Sequence, residues 1–112
     1  MAERETAWWA LYAARLSGEA AAPVLVSARA QLLAPETPAV LLRPMAYVLL
    51  RGDRDGALLD AQLQESPRPA VRAAIACALQ TVIPPEMWSR VPVDAEAASA
   101  MGDCETPWGV SD

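Results

Sequence analysis

The amino-acid sequence predicts an all-α fold: about five helices in antiparallel hairpins, either α-solenoid-like or an orthogonal helical bundle, followed by an irregular acidic C-terminal tail. Apolar residues recur at helical spacing, most clearly Val71, Ile75, Leu79 and Val82 at i, i+4, i+8 and i+11, and no useful length of chain alternates with the two-residue period of a strand. Proline pairs punctuate this pattern at 35 and 38, 67 and 69, and 84 and 85. There is also an internal echo. Ala30-Gln31-Leu32 followed by Pro38-Ala39-Val40 returns 31 positions later as Ala61-Gln62-Leu63 followed by Pro69-Ala70-Val71. A period near 30 residues is typical of helical hairpins that stack side by side.

The first helix is expected over residues 4–16. Glu3 and Glu5 suit its positive N-terminal end, Trp8, Tyr12 and Leu16 share one face, and Gly18 is a natural stop. Trp9 points about 100° away from Trp8, so only one of the two rings is expected in a given core contact. A second helix over residues 20–33 tolerates Pro23 only in its first turn and carries Val24, Leu25, Ala28, Leu32 and Leu33 as its apolar stripe. Thr37 as N-cap and Pro38 at the first helical position start a third helix, running to about residue 51. That helix is apolar nearly all round, from Val40 to Leu50, which predicts the central, most buried position. Pro44 should kink or divide it. Gly52 ends it, and Asp53 or Asp55 can cap a fourth helix through residue 64. Ser66 is the expected cap of a fifth, with Pro67 and Pro69 in its first turn and Pro84-Pro85 as its stop. Residues 1–85 thus form the helical domain, and 86–112 an acidic, Pro- and Gly-containing tail with a possible short helix over 94–101.

Of the 112 residues, 54% are hydrophobic, enough for one domain with a modest core. All nine basic residues are Arg, and His and Phe are absent. Such Lys-free, Ala-, Arg- and Pro-rich usage suggests a GC-rich bacterial or phage genome. The net charge of −5 argues against direct nucleic-acid binding, which needs a basic stripe. It serves solubility, and it also suits a positively charged protein partner. Glu3 and Glu5 stand where a signal peptide would be basic, and no apolar run approaches the roughly 20 residues of a membrane span, so a cytoplasmic protein with no membrane contact is expected. Cys77 is read as a buried core thiol and Cys104 as a free tail thiol, with a disulfide between them as the alternative.

The segment 58–82 resembles a HEAT-type repeat: Leu58-Leu59, a turn with two prolines, then Val71-Arg72-Ala73-Ala74 and Ala78-Leu79. The earlier unit departs from that pattern, with Leu41 where the Arg should stand. A 34-residue offset pairs Leu16 with Leu50, Gly18 with Gly52, Leu25 with Leu59 and Pro35 with Pro69. This spacing is similar to tetratricopeptide repeats, with Gly52, Ala57 and Pro69 fitting the scheme and the expected large aromatic and second Gly missing. Both resemblances imply stacked antiparallel helix pairs that bind other proteins. In size, acidity and helical content the chain also resembles the small chaperones of bacterial type III secretion, which hold an amphipathic helix of a secreted subunit.

Without His or Lys, neither a Ser-His or Cys-His pair, nor a His-ligated metal, nor a P-loop lysine can be built. No catalytic, cofactor-binding or metal-ligating residue is assigned, and an enzyme is not expected. The charge cluster of Arg51, Asp53, Arg54, Asp55 and Asp60 lacks calcium-loop spacing and reads as a solvated turn with helix caps. Candidate partner-binding residues are Trp8 and Trp9, of which one can be an exposed anchor; Arg29, Arg43, Arg68 and Arg72, which can line a groove and clamp carboxylates or simply be solvated; and Trp108 in the tail. Trp88 is expected to pack back on the domain. Two repeats leave an apolar face that a homodimer, a partner or the tail can cover. The leading expectation is therefore an adaptor or chaperone that sequesters an amphipathic segment of another protein. The alternatives are a phage- or mobile-element-encoded inhibitor of a nucleic-acid enzyme's basic surface, and a structural subunit of a larger bacterial assembly.

Overall fold

The computed structural model describes residues 2–15, 18–58, 60–90, 93–101 and 104, and among them the regular secondary structure is entirely helical. The helices are α1 (Ala2–Ala14), α2 (Ala22–Leu33), α3 (Ala39–Gly52), α4 (Arg54–Leu58), α5 (Ala61–Gln64), α6 (Pro69–Leu79) and α7 (Ala95–Met101), with 3-10 turns at Gly18–Ala20 and Pro85–Arg90. The chain fills 34 × 32 × 28 Å, a globule of near-equal axes and not an elongated array.

α3 is the centre. Leu41, Leu42 and every residue from Pro44 to Leu50 are buried, as its lack of a polar face requires. α1 packs on one side of it and α6 on another, and α7 continues the row beyond α6. α2 and α5 pack against α3 and α6 respectively and also against each other. The two segments of the 31-residue echo are therefore adjacent, with Leu32 and Leu63 both buried, while Val40 is exposed and its counterpart Val71 is not.

Several local expectations are corrected. α1 stops at Ala14, before Gly18, because Arg15 takes a left-handed conformation (φ 52°); Gly18 (φ 64°) provides a second left-handed residue, where a side chain would be strained. Thr37 does not cap α3. Its hydroxyl donates backward to the Gln31 carbonyl at the end of α2, at 2.5 Å, and Pro38 holds the capping position. Pro44 does not divide α3, which runs unbroken through it. The single fourth helix is two short ones: Asp53 accepts from the Gly56 N–H, and Asp60 starts α5 anew by accepting from the Gln62 N–H. Ser66 accepts from the Arg68 N–H but stands three residues before α6 begins at Pro69, and Arg68 holds the capping position. Gly52 lies where α3 meets α2: a Cβ there would stand 2.6 Å from Leu25 Cδ2.

The two tryptophans of α1 share one core. Trp8 and Trp9 are 8% and 7% exposed and belong to a single buried cluster. Despite their angular separation on α1, both rings are covered within that cluster. Trp9, Tyr12 and Tyr47 meet edge to face, with centroids 5.1 to 5.9 Å apart, which joins α1 to α3. The Arg51 guanidinium carbon sits 3.5 Å from the Tyr12 ring centroid, and its Nη1 donates to the Tyr12 carbonyl at 2.7 Å.

The largest correction concerns the cysteines, which are not free thiols. Cys77, fully buried in α6, forms a disulfide with Cys104 across 27 positions of sequence. Closing a loop of that length removes chain entropy from the unfolded state worth about 3–4 kcal/mol. Tyr47 adds a hydrogen bond from its hydroxyl to the Cys104 carbonyl at 3.4 Å. Among the described residues no helix is long and apolar enough to cross a membrane.

Truncation at the buried pair of echoed leucines, Leu32→Ala or Leu63→Ala, should each lower unfolding free energy by about 2–5 kcal/mol in urea titration. Val26→Ala, on the solvent side of α2, should change it by less than about 0.5 kcal/mol.

Candidate binding surface

The candidate arginines Arg29, Arg68 and Arg72 donate hydrogen bonds to groups elsewhere in the molecule. Arg29, on α2, donates through Nε to Asp60 at 2.5 Å and through Nη2 to Gln62 at 2.7 Å. That contact holds the Asp60 carboxyl below its ordinary range, against a smaller opposing effect of burial. Arg68 reaches back across 31 positions to the Thr37 carbonyl at 2.9 Å and, at 3.5 Å, to that of Ala34. It thereby satisfies carbonyls in the turn between α2 and α3.

Arg72 is the most heavily engaged. Nε and Nη2 fork onto the two oxygens of Asp94 at 2.8 and 3.2 Å, and Nη1 donates to the Ser66 carbonyl at 2.5 Å. Asp94 in turn accepts from the Ala97 N–H at 2.9 Å, so one carboxylate caps α7 and ties it to α6. The Arg72 guanidinium, followed by the Ala97 amide, depresses the Asp94 pKa to about 2. Arg43 is half-buried on α3, where its charge acts on the Tyr47 phenol. Burial dominates there and pushes the Tyr47 pKa up. Arg29, Arg68 and Arg72 thus serve three different seams: α2 with α5, α6 with the turn before α3, and α6 with the segment that starts α7. Trp108 lies outside the described residues, as does the side chain of Trp88.

What the structure brings to the surface is a face of α2. Its polar side chains turn to neighbours: Ser27 accepts from Gln31, Gln31 accepts from Arg4 of α1 at 3.3 Å, and Arg29 meets α5. Val24, Leu25, Ala28 and Leu32 pack toward the core. Ala22, Val26 and Ala30, at i, i+4 and i+8, are left in solvent, with Val26 70% exposed. Beside the end of this stripe, Leu33, Ala61, Gln62, Glu65 and Pro67 line an open cleft between α2 and α5. Sequence reading missed the stripe by looking for one apolar face. A helical projection of 22–33 carries two, separated by Arg29 on one side and by Ser27 and Gln31 on the other.

Among the described residues no group of His, Cys, Asp and Glu is placed to hold a metal ion, and no buried side-chain nitrogen or oxygen lacks a hydrogen-bond partner. What the surface offers is apolar contact area and backbone-satisfied helix, which suits adhesion to another apolar face. Comparison with models of protein families, with curated proteins and with solved structures finds no match to this chain.

The folded Asp94 pKa lies below the ordinary 3.8. Its contribution to holding α7 is therefore present above about pH 4 and is lost as pH falls toward 2. Carboxyl NMR titration should place the Asp94 midpoint near 2 in the native protein and move it up toward 3.8 in Arg72→Gln. Arg68→Ala should destabilise by about 1–3 kcal/mol in denaturant titration, the size of charge-assisted hydrogen bonds lost to buried carbonyls.

Proposed function

We propose that this protein is a non-catalytic protein-binding module, an adaptor or chaperone that holds an amphipathic segment of a partner against the outer face of α2. The observation that carries this reading is the inverted polarity of α2. A helix whose polar groups serve internal contacts while Ala22, Val26 and Ala30 face water gains nothing in monomer stability from that apolar face. A single exposed valine is ordinary on protein surfaces. A whole exposed stripe on a helix with one charged residue is the arrangement that a partner helix covers. The small residues flanking Val26 allow a close approach, with Val26 as the central knob.

Two further features support the reading. The hairpin pairs α2–α3 and α5–α6 lie side by side, the arrangement used by helical-hairpin proteins to present extended binding surfaces. The absence of His and Lys from the sequence removes the common means of building an acid–base or nucleophilic site.

The test is fluorescence anisotropy with a labelled, neutral amphipathic peptide of Leu, Ala and Gln. Binding should persist from about 0.05 to about 0.5 M salt, because it depends on apolar contact. Val26→Glu should weaken it about tenfold or more with the helical circular dichroism spectrum unchanged. No binding, or equal binding by Val26→Glu, would overturn the assignment. Binding that collapses with salt would point instead to an acidic inhibitor of a basic surface.

A further inference from the structure

We propose that α7 is a thiol-controlled strap: the Cys77–Cys104 disulfide holds it on α6, and reduction releases it while the rest of the fold stays intact. The inference rests on how little else fastens this helix. α7 has seven residues, too few to be helical alone, and its sequence, Ala-Glu-Ala-Ala-Ser-Ala-Met, buries only Ala97 fully among the side chains described. On α6, Ala73 and Ala76, both 2% exposed, are buried outside the main core cluster, as Ala97 is, and form an equally thin partner face. Alanine against alanine brings helices close but removes little apolar area from water. Among the described residues the polar fastening centres on Arg72, which forks onto Asp94 and lies 4.0 Å from Glu96 of α7; both carboxylates are half exposed or more and screened by solvent. By contrast the disulfide anchors the strap to a sulfur at the centre of the molecule, and the Tyr47 hydroxyl holds the Cys104 carbonyl.

The reducing step follows from the unequal exposure of the two sulfurs. Cys77 is fully buried and Cys104 only partly, so a thiolate of a dithiol reductant attacks the Cys104 sulfur, forming a mixed disulfide. The Cys77 sulfur leaves as a thiolate and takes a proton. The reductant's second thiolate then displaces the Cys104 thiolate, which is protonated in turn. Two electrons and two protons pass to the cysteines, and the dithiol becomes a disulfide.

Once freed, α7 leaves the Ala73–Ala76 face and the Arg72 guanidinium uncovered, while α3 keeps its covers from α1, α2 and α6. The compartment then sets the state of the strap, closed where disulfides persist and open where thiols are kept reduced.

Hydrogen exchange with residue resolution tests this on the full chain, before and after reduction by a dithiol, with mass spectrometry reporting the thiol state. Amides of Ala97 and Ala98, both hydrogen-bonded to Asp94, should lose their protection and exchange about tenfold faster or more after reduction, while those of Met45–Leu49 in α3 remain strongly protected, accelerated only by the fall in global stability that loss of the cross-link brings. Cys104→Ser, without reductant, should match the reduced protein. The proposal is overturned by α7 amides that do not respond, by α3 amides that lose their protection together with those of α7, by free thiols in the air-oxidised protein, or by a Cys104→Ser variant that exchanges like the oxidised form.

Discussion

The constraint on which this structure turns is the absence of a polar face on α3. A helix whose residues from Leu41 through Leu50 include only one charged side chain, the half-buried Arg43, has to be covered on nearly every side, and the surrounding elements are arranged to do so. α1 supplies Trp8, Trp9 and Tyr12 to one flank, α6 supplies Val71, Ile75 and Leu79 to another, and α2 closes a third with Ala28 and Leu32. The edge-to-face triad of Trp9, Tyr12 and Tyr47 gives the first of these contacts a fixed geometry. α7 is joined to α6 by packing, by the Arg72–Asp94 fork and by the disulfide, and α2 keeps an apolar stripe facing solvent.

Charge in this molecule serves the seams. Arg29, Arg51, Arg68 and Arg72 all donate to groups on another element, either a carboxylate or a carbonyl at a helix end. The guanidinium suits this use, because its flat fork reaches two acceptors at once and its charge survives partial burial. With Arg29, Arg68 and Arg72 committed to internal contacts, the proposed binding rests on the uncharged outer face of α2.

The helices themselves were legible because their signals are local. The spacing of Val71, Ile75 and Leu79 and the nearly continuous apolar run of α3 marked their elements, although α6 ends at Leu79, so Val82 falls in the turn before the expected stop at Pro84. The details that escaped are those in which a side chain answers to something distant. Thr37 has the chemistry of an N-cap, but the Gln31 carbonyl competes for its hydroxyl. Asp60 divides a helix that propensity alone would continue. Cys104 sits in a polar stretch that contains no hint of Cys77, since pairing across 27 positions depends on where α7 lands. The exposed stripe of α2 was hidden in plain view, because Ala22, Val26 and Ala30 belong to a helix already credited with a core face.

The polar ties across the echo have a consequence for modularity. Arg29 in the first hairpin reaches forward to Asp60, and Arg68 in the second reaches back to the carbonyl of Thr37, each across 31 positions. The two hairpins are laced in both directions, so each holds a donor whose acceptor lies in the other. Either hairpin in isolation would carry an unanswered guanidinium at one end and an orphaned carboxylate or carbonyl at the other. A chain that reads as two similar units therefore behaves as one cooperative body, melting in a single transition and resisting the excision, duplication or reordering that open arrays of repeats tolerate.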